Sequence, residues 1–345
     1  MSVVLRQEWC MRSLVNVAIH PSQFPDNLRR DLLSSLRARQ LNHKFLYDGI
    51  KQTRKWLALH EACSPARNDI HCVEAYDKAF EAAAHLAAAP QVHVISLGCG
   101  GGQKDVSLLK RLRQSGKQVG YTPCDVSLAM VLTARQAALE VVDSNDCFPL
   151  VCDLLAADDL AGVLRQQTPV DAARLVTFFG LIPNFEPHII LPRLAELLQP
   201  KDYLLLSANL APGSDYAAGV QRMLALYDNA LTRDWLMTFL FELGVEQDDG
   251  ELRFAVQDCS EGTGLKRIVA HFHFERSRRL QVIADEIEFQ AGERLRVFFS
   301  YRHTPDQMRA LLKHYGMAEL DRWISRSEEE GVFLAQINPL NSARR

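Results

Sequence analysis

The sequence lacks the features that mark several large classes of protein. It has no basic excess, because 39 lysines and arginines against 42 acidic residues give a formal net charge of −3. A nucleic-acid-binding protein needs a basic surface to neutralise phosphates, so this class is disfavoured. No window reaches the ~18 apolar residues that a membrane span needs. The N-terminal segment MSVVLRQEWCMRS lacks the apolar core of a signal peptide. We therefore expect a soluble cytoplasmic protein that acts on a small molecule and binds neither nucleic acid nor membrane.

Cysteine pairs and the common catalytic sets are missing as well. The eight cysteines form no C-x-x-C pair and no zinc-ligand spacing, which indicates thiols of a reducing compartment rather than a disulfide framework. Paired carboxylates, a Ser/His/Asp set and a metal cluster are not apparent, so no metal site is predicted. With 345 residues, of which 48% are apolar, the chain is long enough for about two domains.

The most informative stretch is residues 91–104, QVHVISLGCGGGQK. A short apolar run ends abruptly in a series of glycines, which is typical of a buried parallel strand that enters a tight turn. Without Cβ atoms, glycines let the backbone turn sharply and let a ligand lie against the N–H groups at the start of the next helix, predicted at residues 105–114. The pattern predicts a loop that holds a nucleotide cofactor.

From this stretch onward, strands alternate with helices. The predicted strands after the first are residues 118–125, 148–153, 175–179 and 203–208, and the alternation favours a doubly wound parallel sheet. Two closing strands at 319–324 and 332–337 are expected to run antiparallel to the others. The right-handed crossover rule brings the carboxyl ends of parallel strands to one edge. The residues that follow strand ends and therefore meet at this edge are Gly98, Asp125, Asp153 and Asn184.

The remaining segments predict a second module. Helices at 26–40, 49–62 and 72–88 precede the first strong strand and suit a cap over the sheet. Residues 213–243 are predicted to be helical. The segments 266–275, 280–289 and 293–302 alternate apolar and polar residues, which predicts an antiparallel meander.

The ligand of the glycine turn can be narrowed from the residues around it. A dinucleotide fingerprint, G-x-G-x-x-G, would place its third glycine at position 103, which is Gln103, so a nicotinamide cofactor is disfavoured. Asp125 can accept hydrogen bonds from both hydroxyls of a ribose, and Asp153 can accept a hydrogen bond from the amino group of adenine. Each aspartate could instead only cap the helix that follows it.

At these residues the chain resembles a known family, the histidine-specific Nα-methyltransferases of the ergothioneine pathway. The similar segments are LGCGGGQK, YTPCDVS, CDL, FFGLIPNFEP and AGERLRVFFSYRHTPDQM. The resemblance implies an S-adenosylmethionine-dependent enzyme with an α/β fold, in which a Rossmann-like class I methyltransferase sheet carries a second, discontinuous α+β domain. Residues 65–212 and 303–345 would form the cofactor domain, and residues 14–64 and 213–302 the substrate-binding domain.

The resemblance also assigns roles to individual residues. Gly98 and Lys104 match positions that contact the methionine part of the cofactor, Asp125 the ribose, and Asp153 with Leu154 the adenine. Gly100 is also predicted to bind the cofactor, because Gly98, Gly100, Asp125 and Asp153 are spaced to hold its adenosine. Asn184 matches the asparagine that holds the amino end of the substrate and is the candidate catalytic residue. The other predicted substrate residues are Tyr47 in KFLYD, Tyr227 at the carboxylate site, Phe298 and Ser300.

Two departures from the family concern the substrate side chain. The glutamate that recognises imidazole in the family falls at Phe298, and a tyrosine pair is replaced by Cys63 and Ser64. Leaving an imidazole N–H buried without a partner costs about 1–3 kcal/mol. We therefore expect an amino acid or related small amine with a side chain less polar than that of histidine, with Phe298 on the pocket wall.

Three functions remain open at this point. The first is methyl transfer to the amino group of such a substrate. The second is another reaction of the same cofactor, such as cyclisation or transfer of a different sulfonium substituent. The third, a nicotinamide oxidoreductase, is the weakest because of Gln103.

Overall fold

The computed structural model describes residues 14–259 and 264–338. The segment on which the absence of a signal peptide was judged, together with Cys10, lies outside the described residues, and so does the end of the predicted cofactor domain at 339–345. Within the described part of the chain, no helix is long and apolar enough to cross a membrane.

The strands alternate with helices through the first two thirds of the chain. In chain order the strands are β1 (Ala18–Ile19), β2 (Gln91–Leu97), β3 (Gln118–Asp125), β4 (Leu150–Val151), β5 (Ala173–Phe178), β6 (Tyr203–Asn209), β7 (Gly250–Asp258), β8 (Lys266–Phe274), β9 (Arg278–Val282), β10 (Asp285–Phe289), β11 (Arg294–Arg302), β12 (Met317–Ile324) and β13 (Glu330–Ile337). The helices are α1 (Pro25–Arg37), α2 (Ile50–Cys63), α3 (Pro65–Asn68), α4 (Ile70–Leu86), α5 (Gln103–Gln114), α6 (Leu128–Ala138), α7 (Leu160–Gln167), α8 (Pro187–Leu197), α9 (Tyr216–Tyr227), α10 (Ala230–Glu242) and α11 (Pro305–His314).

An eight-stranded sheet with the order β1-β4-β3-β2-β5-β6-β13-β12 forms the centre of the fold. Strands β2, β3, β5 and β6 are almost entirely buried, which is why they appear in the sequence as continuous apolar runs. Their parallel pairing confirms the prediction of a Rossmann-like α/β sheet. The order reverses between β2 and β5, and ligands of such sheets bind at this switch point.

The closing strands differ from the prediction in one respect. Strand β13 runs antiparallel to β6, but β12 runs antiparallel to β13 and is therefore parallel to the rest of the sheet. The two strands form a hairpin, so they run in opposite directions. Only one of them can therefore run antiparallel to the parallel strands of the sheet. The expectation of two reversed strands was wrong on this point.

The N-terminal segment adds a strand to the same sheet. Strand β1 pairs in parallel with β4 at the sheet edge, and the Ser22 hydroxyl accepts a hydrogen bond of 3.1 Å from the backbone N–H of Asp153. This segment therefore lies against the cofactor edge, although the predicted boundary assigns it to the substrate-binding domain. The boundaries themselves remain a prediction.

The second module contains a three-stranded antiparallel sheet, β11-β8-β7, and a separate hairpin of β9 and β10. The predicted meander was wrong, because residues 280–289 turn back on themselves around Ile283, which has a φ of 56°, and β11 pairs directly with β8. Strand β7 was missed because most of its side chains are not buried. The predicted helical stretch at 213–243 is two helices, with Asn229 capping α10.

The two modules meet at the carboxyl edge of the large sheet. Helices α1 and α10 share one apolar core with β8 and β11. The buried ammonium of Lys44 pairs with Asp31 of α1 at 2.6 Å and with Asp153 at the end of β4 at 2.8 Å. This ion pair fixes the second module over the sheet edge, where the predicted site residues lie.

Candidate active site

The turn after β2 is a left-handed run of glycines. Gly98, Gly100 and Gly102 have φ values of 69°, 51° and 75°, and residues with a Cβ atom rarely adopt such positive values. A Cβ on Gly98 would lie 1.8 Å from Cδ1 of Leu181, and one on Gly102 would lie 2.8 Å from the backbone of Ala134. The glycines are therefore required by both conformation and space.

Asp125 fixes this turn from the end of β3. One carboxylate oxygen accepts a hydrogen bond of 3.1 Å from the Gly100 N–H, and the other accepts one of 3.0 Å from the Ser127 N–H. Burial raises the pKa of Asp125, and these backbone bonds oppose the rise. Each oxygen keeps a free lone pair, so the carboxylate can still accept hydrogen bonds from the hydroxyls of a ribose.

A cavity of about 520 Å³ opens along the sheet edge, which is within the range of small-molecule sites. It brings together eight of the residues named from the sequence. These are Tyr47, Gly98, Gly100, Lys104, Asp125, Asp153, Leu154 and Asn184.

Lys104 is held by partners that the sequence did not reveal. Its ammonium donates to the Tyr76 hydroxyl at 2.5 Å and pairs with Glu330 of β13 at 3.2 Å. Burial acts to raise the pKa of Glu330, but the Lys104 charge and the hydrogen bonds from Tyr76 and Lys104 lower it. Because an ammonium has three N–H groups, one remains for an acceptor in the cavity. Lys104 is therefore a fixed cation beside the glycine turn.

Both carboxylate oxygens of Asp153 already accept hydrogen bonds within the protein. Its Oδ2 accepts from Lys44, and its Oδ1 accepts a hydrogen bond of 2.9 Å from the Leu155 N–H. Both oxygens retain a lone pair for an adenine amino group. The sequence analysis did not identify Lys44 as a site residue, although it lies in the KFLYD segment that contains the predicted substrate residue Tyr47.

An aromatic wall from α2 covers the glycine turn. The ring of Trp56 lies against Gly100, 3.2 Å from the position of a Cβ there. His60 stacks on Trp56 at 4.9 Å, and Tyr47 contacts its edge at 5.8 Å. The sequence predicted this helix only as a cap, because nothing local shows which of its residues face a ligand.

Asn184 and His43 are both fixed by the backbone of β11. The Asn184 side-chain amide donates to the Phe299 carbonyl at 2.8 Å. The Phe299 N–H donates to Nε2 of His43 at 3.0 Å, so the proton of the neutral ring is on Nδ1. Burial, followed by Arg296 and Arg267, lowers the pKa of His43 to about 3. His43 is thus neutral, and its one lone pair is already used, so it cannot take up a proton in this geometry.

A family model described as histidine-specific methyltransferase, SAM-dependent, matches residues 28–337. The chain belongs to this family. It is therefore an S-adenosylmethionine-dependent methyltransferase, and S-adenosylmethionine is its cofactor. This finding confirms the resemblance and removes the nicotinamide alternative.

Individual relatives are distant. The chain is 27% identical over 256 residues to the N-methyltransferase imqF of Aspergillus flavus, covering 72% of this chain and 68% of that protein. It is 26% identical over 323 residues to the histidine N-alpha-methyltransferase of Mycolicibacterium smegmatis, covering 89% and 94%. Among solved structures, magnesium protoporphyrin IX methyltransferase from Synechocystis aligns with a TM-score of 0.43 at 14% identity, covering 85% of this chain and 97% of that one. That last likeness supports no statement about activity.

The residues of this methyltransferase fit its cofactor. Asp125 supplies acceptors for ribose hydroxyls, and Lys104 supplies a cation for a carboxylate. When bound, S-adenosylmethionine supplies a methyl group already activated by its sulfonium. The protein has to hold and align the reacting groups and exclude water.

Three predicted substrate residues do not line the cavity. Phe298 is 6% exposed and packs against His43, Trp235 and Tyr227 at centroid distances of 5.1, 5.8 and 6.0 Å. A β-bulge between Arg296 and Phe298 shifts the alternation of β11, so that Phe299 faces the cavity instead. The expectation that Phe298 forms the wall is therefore corrected.

Tyr227 and Ser300 form a polar cluster on the same face of β11 as Phe298. The two hydroxyls are 2.9 Å apart, and Tyr227 also accepts from Arg302 at 3.0 Å and from Asn209 at 3.2 Å. Neither Tyr227 nor Ser300 lines the cavity. Cys63 and Ser64 also lie outside the cavity lining.

We expect Asp125→Ala to weaken the binding of S-adenosylhomocysteine by about tenfold to a hundredfold, because hydrogen bonds to a charged group contribute about 1.5–3 kcal/mol. Titration calorimetry measures this change directly. Asp171→Ala, at an exposed aspartate, is the matched control. Equal affinity of the Asp125 variant and the wild type would refute the role of this carboxylate.

Asp105, at the start of α5, is a buried carboxylate beneath the turn. It accepts hydrogen bonds from Ser96 at 2.7 Å, Tyr121 at 2.8 Å and Thr177 at 3.1 Å. Burial raises its pKa to about 6, although the three hydroxyls oppose this rise. The sequence did not single it out, because its role depends on three different strands.

The raised pKa predicts a pH dependence of stability. The folded state holds the Asp105 proton more tightly than the unfolded chain, so this group's contribution is full at low pH and is lost as the pH rises through about 6. Between about pH 8 and about pH 5 the free energy of unfolding should rise by roughly 1 kcal/mol more in the wild type than in Asp105→Asn. Urea denaturation at both pH values measures the difference, and parallel pH profiles of the two proteins would contradict the assignment.

Proposed function

We propose that the enzyme transfers a methyl group to the amino group of an amino acid or related small amine other than histidine. The observation that carries the proposal is the fixed amide of Asn184 in the cavity wall. Because its Nδ2 donates to Phe299, the oxygen Oδ1 remains as the acceptor. An acceptor at this position suits the N–H groups of an amine.

The role of Asn184 is orientation. An amine must be neutral to act as a nucleophile, and an amide oxygen can hold one of its N–H groups while the nitrogen lone pair points elsewhere. An amide is not a base, and the lone pair of His43 is occupied. The ammonium form of the substrate therefore loses its proton to water before the nitrogen attacks.

The exclusion of histidine rests on the carboxylates of the cavity wall. Glu186 lines the cavity. It is paired with Arg267 at 2.7 Å and accepts a hydrogen bond of 2.5 Å from the Tyr301 hydroxyl. An imidazole N–H would have to share a carboxylate that is already paired with the cation of Arg267. Phe298 lies behind the wall and takes no part in this exclusion.

The names of two relatives support a nitrogen acceptor, since one is an N-methyltransferase and another acts on the α-nitrogen of histidine. Their low identity leaves the side-chain pocket free to differ. The choice of the amino group as acceptor is consistent with both names and with the geometry of Asn184.

Incubation with S-adenosylmethionine and pooled amino acids, followed by mass spectrometry, should yield S-adenosylhomocysteine and one methylated amino acid. Asn184→Ala should lower kcat for that substrate by about a hundredfold, because the loss of one positioning contact costs about 3 kcal/mol in the transition state. The affinity for S-adenosylhomocysteine should be unchanged, and Asn145→Ala is a surface control. Formation of methylthioadenosine, or histidine as the best substrate, would overturn the proposal.

Phe298→Glu tests the position of this residue behind the wall. The variant buries a carboxylate among three rings, so we expect the free energy of unfolding to fall by roughly 3–5 kcal/mol, with no gain in histidine binding. Phe298→Leu, which keeps an apolar side chain, should lose less. A stable Phe298→Glu variant that binds histidine tenfold more tightly would restore Phe298 to the pocket wall.

A further inference from the structure

We propose that the part of the cavity formed by α1, the following segment and β11 is a subsite for an acidic group of the substrate, with Arg296 as its counter-charge. The inference rests on the proposed function, because this group would be the side chain of the amino acid that Asn184 holds. The lining residues of this subsite are Ser34, Ser35, Gln40, His43, Arg296 and Phe299.

The backbone fixes the position of Arg296 from two sides. The Leu41 N–H donates to the Arg296 carbonyl at 2.8 Å, and the Arg296 N–H donates to the Arg39 carbonyl at 3.0 Å. The segment after α1 thus pairs with β11 and closes one side of the cavity. Asn184 and Arg296 are connected by the same strand, since Asn184 binds the carbonyl of Phe299.

The charges at this subsite do not balance. Arg267 and Arg296 both lie over the ring of Phe299, at 5.2 and 4.8 Å from its centroid. Arg267 is neutralised by Glu186, whereas Arg296 pairs with no carboxylate among the described residues. Its hydrogen-bond partner is the neutral side-chain oxygen of Gln40, at 2.8 Å.

Arg296 is also partly removed from water. Its side chain is half-buried, and its Nε is buried without a hydrogen-bond partner. Burial and then the neighbouring Arg267 lower the pKa of Arg296, and the smaller effect of the Glu186 charge only partly opposes this shift. A desolvated cation beside a second cation is unfavourable unless an anion joins it.

The other groups that face Arg296 do not supply this anion. His43 is neutral, and Glu186 is bound to Arg267 and Tyr301. The planar guanidinium forms two parallel hydrogen bonds to a carboxylate or a phosphate. The subsite therefore fits an α-amino acid whose side chain carries either group, in place of the less polar side chain expected from Phe298.

The test is titration calorimetry on the enzyme saturated with S-adenosylhomocysteine. The probes are L-glutamate, O-phospho-L-serine, the neutral isostere L-glutamine, and glutarate, which has no amino group. L-glutamate or O-phospho-L-serine should bind at least tenfold more tightly than L-glutamine, and the better of the two identifies the acidic group. Arg296→Gln should abolish this preference, Arg296→Lys should retain part of it, and Arg294→Gln, at the exposed start of the same strand, should leave it unchanged.

Equal binding of L-glutamate, O-phospho-L-serine and L-glutamine, or an unchanged preference in a folded Arg296→Gln variant, would overturn the subsite. Binding of glutarate that depends on Arg296, with no binding of any amino acid, would support the subsite and overturn the proposed function. If no probe binds while the pooled assay yields a methylated neutral amino acid, the proposed function stands and the subsite falls.

Discussion

The left-handed glycine turn after β2 is the constraint on which the site depends. No side chain fits at Gly98 because Leu181 occupies that space, and none fits at Gly102 because α6 packs against it. Asp125 holds the turn through the Gly100 N–H, and Trp56 covers it from α2. The glycine turn thus has fixed partners on the side of the sheet, and the second module completes the cofactor edge from above.

Local pattern and topology were enough to predict that the residues assigned to the cofactor meet at one edge of the sheet. Gly98 and Asp153 follow buried strands and Asp125 ends one, and the carboxyl ends of parallel strands meet at one edge. Lys104 was predicted from the family resemblance, but its ion pair with Glu330 was not. These two residues are far apart in the chain, and the acidic turn that precedes β13 gives no sign of which glutamate is buried.

The substrate half was less predictable because strand alternation fails there. Simple alternation along β11 places Phe298 and Ser300 on the same face of the strand, and the family resemblance assigns that face to the substrate. The bulge before Phe298 turns Phe299 and Arg296 to the cavity. A bulge depends on the register with β8, which the sequence of β11 alone does not specify. The same lack of register information hid the hairpin of β9 and β10 and the direction of β12.

We propose that the substrate lies on the Phe299 face of β11, between Asn184 and Arg296, and not on the Tyr227 face. The decisive measurement is a crystal structure of the enzyme with S-adenosylhomocysteine and its amino-acid substrate. We expect the amino nitrogen to contact Asn184 and the side chain to pass Phe299 towards Arg296. An amino acid bound against Tyr227 and Ser300, with Phe298 displaced from its aromatic neighbours, would show that the substrate lies on the other face.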